Sequence, residues 1–101
     1  MVIVNVEVKV EAGAIDSIKD AVAAMETESR KEPGCQVYAF SVDVNDPTTV
    51  RITEHWDSLA DLQNHFTLPH MAAFGAALGT INILSMDAKA YETAAEVPLP
   101  I

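Results

Sequence analysis

The chain opens on a strict two-residue alternation. Val2, Val4, Val6, Val8 and Val10 fall on one side, with Ile3, Asn5, Glu7 and Lys9 on the other, which is the period of a β-strand. Ala12-Gly13 breaks the run, and from Ala14 to about Lys31 the spacing changes. Ile15, Ile18, Val22, Met25 and Ser29 recur at helical intervals, opposite Asp16, Lys19, Asp20, Glu26 and Arg30. Glu32-Pro33-Gly34 stops this helix, because proline cannot continue it and biases the residue before it out of the α region. Alternation returns from Cys35 to Val44, with Gln36, Tyr38, Phe40 and Val42 on one face. Asn45 to Thr48 reads as a turn and Thr49 to Trp56 as a third strand, so the two strands form a hairpin. Ser58 with Asp61 reads as an N-cap followed by an acidic N3 residue. The helix it starts is expected to bury Leu59, Leu62 and Phe66. Pro69 suits the first turn of a restarted helix carrying Met71, Phe74 and Leu78, which Gly79 ends. Ile81 to Tyr91 returns to strand character.

The predicted order is β-α-β-β-α-β, the ferredoxin-like α+β arrangement of an antiparallel sheet with both helices on one face. Its 101 residues make one domain, with residues 92–101 as an extended, proline-bearing tail. The helix-free face carries Ile3. If Tyr38, Phe40 and Val42 share it, that face is too apolar to stay wet, and pairing with a second copy would bury it. A homodimer is therefore expected.

Charge narrows the partners. Fifteen acidic residues against six basic ones give a formal charge of −9, which repels phosphate backbones and anionic lipid surfaces. No nucleic acid and no membrane partner is expected. No apolar run approaches the roughly 20 residues of a membrane helix, and the first residues lack the pattern of a signal peptide. The lone Cys35 fits a reducing compartment, so a cytoplasmic location is expected.

Three segments together carry a family resemblance. They are Glu32-Pro-Gly-Cys35 leading into Val37-Tyr-Ala-Phe40, then Thr53-Glu-His-Trp56 followed by Asp57-Ser-Leu, and Asn64-His-Phe-Thr-Leu-Pro-His-Met-Ala-Ala-Phe74. In order and spacing the chain resembles the antibiotic biosynthesis monooxygenase family, and within it the small quinol monooxygenases, through Trp56, His65, Pro69 and His70. The resemblance implies a dimeric α/β barrel with a pocket between sheet and helices. It also implies oxidation of a small aromatic quinol or polyphenol by molecular oxygen, with no metal, flavin or other cofactor. Two other readings stay open. One is a non-catalytic small-ligand-binding dimer, the other an isomerase of a small metabolite. Heme degradation fits less well, because Gly75 stands where the later helix histidine of the heme-degrading pattern is expected.

Within that frame, His65 and Trp56 are the candidate catalytic residues. A neutral imidazole at position 65 can accept a phenolic proton, and Trp56 at a strand end can stack on a ring. Asn5, Arg51, Phe66, His70 and Phe74 are the candidate substrate-binding residues. Asn5 or Arg51 could hold an oxyanion, although the strand alternation puts Asn5 opposite the valines. No metal site is expected, since His65 and His70 are five residues apart rather than one helical turn, with Pro69 between them.

Overall fold

The fold is described from a computed structural model, over residues 1–93 and 95–101. Four strands, β1 (Val2–Val10), β2 (Cys35–Asp43), β3 (Asp46–Trp56) and β4 (Ile83–Glu92), make one sheet in the order β2-β3-β1-β4. Every neighbouring pair is antiparallel. Helices α1 (Ala14–Ser17), α2 (Lys19–Ser29), α3 (Leu59–His65) and α4 (Pro69–Leu78) complete the β-α-β-β-α-β plan. This is the ferredoxin-like α+β fold that the alternation and helical spacing predict. The expected first helix is two pieces, because Ile18 leaves the helical conformation (φ −118°, ψ 16°). The hairpin turn is also tighter than expected. Asp43 pairs with Asp46, and the Asp46 carboxylate accepts bonds from Thr48 and Thr49, so strand β3 begins before Thr49.

Register decides which face each side chain takes. Tyr38 lies opposite Glu54, Phe40 opposite Ile52 and Val42 opposite Val50. In turn Glu54 lies opposite Val4, Ile52 opposite Val6 and Val50 opposite Val8. All of them therefore point towards the helices. Val2, Val4, Met25, Tyr38, Trp56, Leu62 and Phe74 pack as the main core, and Val8, Val10 and Val50 as a second cluster.

The condition under which the helix-free face would be too apolar to stay wet, Tyr38, Phe40 and Val42 sharing it with Ile3, is thus not met. A shift of register between Cys35 and Val37 moves the β2 aromatics onto the valine side. The helix-free face instead carries Ile3, Asn5, Glu7, Lys9, Thr49, Arg51, Thr53 and His55, a mostly polar set. Exposed apolar side chains include Leu84, Met86, Val97, Leu99 and Ile101 along β4 and the tail, besides Val42 and Val44 at the hairpin and Leu59 and Phe66 on and after α3.

Two further expectations change. Leu59 and Phe66 are exposed, and α3 buries Leu62 and His65. The helix ends at His65, so Phe66 leaves the buried stripe. Gly79 follows α4 with φ −65°, so the helix ends without the left-handed glycine that a C′ stop uses. Left-handed glycine does matter at Gly34 (φ 82°), where a Cβ would collide with the Asp61 carboxylate. Asp61 accepts there from the Ser58 hydroxyl while its own N–H donates back to Ser58 Oγ. Asp57 N–H donates to the Gly34 carbonyl (2.8 Å), which ties the loop after α2 to the start of α3.

Candidate active site

The site is assembled from two chain breaks. After α2 the backbone turns through Glu32 (Glu32 N to Ser29 O, 3.0 Å; Cys35 N to Glu32 O, 3.2 Å), and Gly34 then sends it into β2. This turn aims the Glu32 side chain inward, where it is only 4% exposed. Helix α3 stops at His65, held by Thr67 N and Oγ1 on the Asn64 carbonyl. Pro69 then starts α4, whose second residue is His70. The break turns the chain between the two histidines, and both imidazoles reach one oxygen of Glu32. His65 Nδ1 is 2.7 Å and His70 Nε2 is 2.6 Å from Glu32 Oε2.

A carboxylate only accepts, so the geometry suits an Nδ1–H of His65 and an Nε2–H of His70 donating to Glu32 Oε2. A neutral His65 in that tautomer carries its lone pair on Nε2, which has no hydrogen-bond partner among the described residues. Aromatic rings surround it. Trp56 lies 4.8 Å away, Tyr38 and Phe66 5.5 Å, and His70 5.9 Å, centroid to centroid. His65 itself is 1% exposed.

A second buried carboxylate closes the cluster. Trp56 Nε1 donates to Glu54 Oε1 at 3.0 Å. Burial pushes the Glu54 carboxyl above its usual range, and Glu32 adds to that, while the Trp56 hydrogen bond and His65 oppose it. Tyr38 is held firmly as the phenol, first by burial and then by the negative field of Glu54 and Glu32. The same causes raise the Cys35 thiol to about 11, so it is not a ready nucleophile.

The Glu54 shift has a sign that can be measured. A carboxyl raised by folding stabilises the protein below its unfolded value, and that stability is lost as pH rises through the folded value. Glu54→Gln keeps an acceptor for the Trp56 N–H and removes the charge. Urea unfolding should show the variant more stable than the parent at pH 8, with the difference gone by about pH 4. A difference independent of pH would contradict the assignment.

Of the residues singled out from sequence, His65, Trp56 and His70 meet here. Phe74 joins through Phe40 (5.3 Å), which touches Tyr38 (5.8 Å). Phe66 stands edge-on to His65 but is 60% exposed. Asn5 and Arg51 are elsewhere. They lie on the opposite face of the sheet, and Arg51 is paired with Asp43 (2.8 Å) and Glu7 (3.6 Å). Neither can touch a molecule bound at His65 in the same protomer. The spacing argument that kept His65 and His70 apart also fails, since the break before Pro69 brings both to Glu32.

Two apolar hollows border the cluster. One, about 30 Å³, lies between sheet and helices among Phe40, Ile52, Phe74, Leu78 and Met86. The other is an open groove of about 170 Å³ between α3 and β4, lined by Val4, Leu62, Phe66, Ala88, Lys89 and Ala90. Among the described residues no helix is long and apolar enough to cross a membrane.

Residues 1–77 match the family model described as antibiotic biosynthesis monooxygenase. The chain belongs to the antibiotic biosynthesis monooxygenase family. That match spans β1 to α4 and so includes all of the cluster, while β4 and the tail lie beyond it. No curated protein matches the sequence.

Solved structures do match. A candidate antibiotic biosynthesis monooxygenase from Deinococcus radiodurans superposes with a TM-score of 0.89 at 28% identity, covering 98% of each chain. A second candidate, from Nitrosomonas europaea, gives 0.85 at 18% over 94% of this chain and 100% of its own. Rv0793 from Mycobacterium tuberculosis gives 0.83 at 21% over 96% and 98%. At these lower identities the last two support the fold alone. Within this monooxygenase-family chain, Glu32 and Glu54 are the site residues that sequence reasoning missed. Glu54 had a legible signal, a carboxylate on the same alternating face as Val50, Ile52 and Trp56.

Proposed function

We propose that this family member is a monooxygenase of a small aromatic quinol or polyphenol, using His65 as the proton acceptor and molecular oxygen as oxidant. The observation that carries the reading is the buried hydrogen bond from His65 Nδ1 to Glu32 inside an aromatic cage. A carboxylate behind an imidazole fixes its tautomer and stabilises the imidazolium formed when the other nitrogen takes a proton.

Ground-state oxygen is a triplet and reacts by one-electron steps, so the substrate must first become electron-rich. Taking the phenolic proton does that. A hydroquinone plus dioxygen then gives a hydroxyquinone plus water, and the quinol supplies all four electrons with no outside reductant. The protein's share is limited to accepting the proton, holding the ring and keeping water away. The groove beside Phe66, lined by Val4, Leu62 and Ala90, is an opening at the edge of the cluster for such a ring.

The working unit in this reading is a homodimer. Exposed Leu84, Met86, Val97, Leu99 and Ile101 on and after the edge strand β4 give the second copy an apolar surface to cover. It acts in the cytoplasm, consistent with the lone cysteine. The test is oxygen uptake by chelator-treated protein across a panel of hydroquinones. Uptake well above autoxidation, from a species sedimenting at twice the chain mass, is the expected result. Uptake at the autoxidation background for every quinol would remove the reading.

A further inference from the structure

We infer that Glu32, His65 and His70 form a binding site for a divalent transition-metal ion of the zinc class, and that loading it switches off proton acceptance by His65. The second half rests on the catalytic reading above; the first does not.

The donor set is the starting point. One ligand atom from each residue lies within 4.8 Å of the others, and the three come from separate places in the chain. Two imidazole nitrogens with one carboxylate oxygen suit zinc and its neighbours in the first transition row, whereas calcium and magnesium prefer oxygen. Zinc sits about 2.0–2.2 Å from such atoms, which puts tetrahedral ligands roughly 3.3 Å apart. The two nitrogen–oxygen distances are now 2.6 and 2.7 Å and the ligand atoms span up to 4.8 Å, so an ion is admitted when the carboxylate backs away and the two imidazoles draw together. Three protein ligands leave a fourth position for water.

A second observation points to a ligand. Among the described residues, buried Glu32 Oε1 has no hydrogen-bond partner, while the other oxygen carries both imidazoles. A buried carboxylate oxygen without a partner is costly, and it lies near another buried carboxylate, Glu54, in a chain of formal charge −9. A divalent ion would engage that oxygen and offset the local negative charge. The His70 side chain, 18% exposed, opens the route from solvent.

Ligation has a chemical consequence. A neutral His65 that donates from Nδ1 to Glu32 Oε2, as the 2.7 Å contact suits, has its proton there and its lone pair on Nε2. An ion bound at Nδ1 leaves that proton on Nε2, so the lone pair that would take the phenolic proton is gone. No net charge need leave the ring; the tautomer alone changes. Metal and substrate proton therefore compete for the same imidazole.

Cobalt(II) is the direct probe, because a tetrahedral or five-coordinate ion bound by nitrogen and oxygen shows visible absorption that hexaaqua cobalt lacks. Titration into chelator-treated full-length protein should give such bands saturating at one ion per chain, bleached by zinc. His70→Ala and Glu32→Gln should each weaken binding at least tenfold, while His55→Ala, on the opposite face of the sheet, leaves it unchanged. Absent bands, or binding indifferent to both substitutions, would overturn the site. Oxygen uptake separates the two readings. Uptake by the metal-free protein that zinc abolishes in step with cobalt displacement supports the switch. Uptake that persists or rises at saturating zinc or iron(II) overturns it. Cobalt binding with no uptake in any form leaves the metal site standing and removes the quinol chemistry.

Discussion

His65→Ala should lower oxygen uptake with the best quinol by about 10²- to 10⁴-fold, the range over which a positioned general base accelerates proton transfer. The position is buried, so the alanine variant also leaves a small cavity and strips Glu32 of one donor; folding must be checked by circular dichroism before rates are compared. His65→Gln is the companion. Its amide N–H can still donate to Glu32 and fill much of the space, but it presents no basic nitrogen to a phenol. Equal losses in both variants assign the effect to the base. Added imidazole should restore part of the rate to His65→Ala and none to His65→Gln. Glu32→Gln tests the tautomer from the other side. A glutamine amide can turn its N–H towards Nδ1, which favours the proton on Nε2 and removes the acceptor without removing the ring. It should lose nearly as much as the alanine variant. Full activity in a correctly folded His65→Gln would eliminate His65 as the base.

How much of this arrangement is visible in the sequence depends on the distance over which each residue is decided. The valines of β1, the break at Pro33-Gly34 and the Ser58–Asp61 cap are local, and pattern reading places them correctly. The face of β2 is not local. Its aromatics are assigned by pairing with β3, and one shift of register near Cys35 sends Tyr38 and Phe40 to the helices instead of the open face. Glu32 is concealed differently. Next to Pro33-Gly34 it has a sufficient local explanation as the end of a helix, and nothing nearby announces that its carboxylate turns inward to meet residues more than thirty positions on. For His65 and His70, a five-residue spacing argues against a shared face only while the helix is continuous. The chain breaks between them, and helical geometry no longer applies. Asn5 and Arg51 show the converse. Each has chemistry suited to an oxyanion, but both have odd numbers on strands whose even positions face the helices.

Trp56→Ala should be the most destabilising single substitution at the site. The side chain is fully buried against Val2, Val4, Met25, Tyr38, Leu62 and Phe74. Truncating a buried tryptophan costs about 3–5 kcal/mol through lost contacts and the cavity left behind. Here a second loss is added, since the Glu54 carboxylate gives up its Trp56 N–H partner and becomes a buried acceptor without a donor, a penalty of about 1–3 kcal/mol. Against a typical total of about 5–15 kcal/mol for a domain, the variant should lose on the order of 20 °C in Tm or fail to accumulate folded. Trp56→Phe separates the two contributions, because it keeps an aromatic ring against His65 and removes only the N–H and part of the volume. If the stranded carboxylate matters, Glu54→Gln should recover some stability in the Trp56→Phe background at pH 8 and little at a pH below the ordinary glutamate range, because folding raises the Glu54 carboxyl above that range. Strictly additive effects of the two substitutions at both pH values would mean that the indole and the carboxylate are neighbours without being partners.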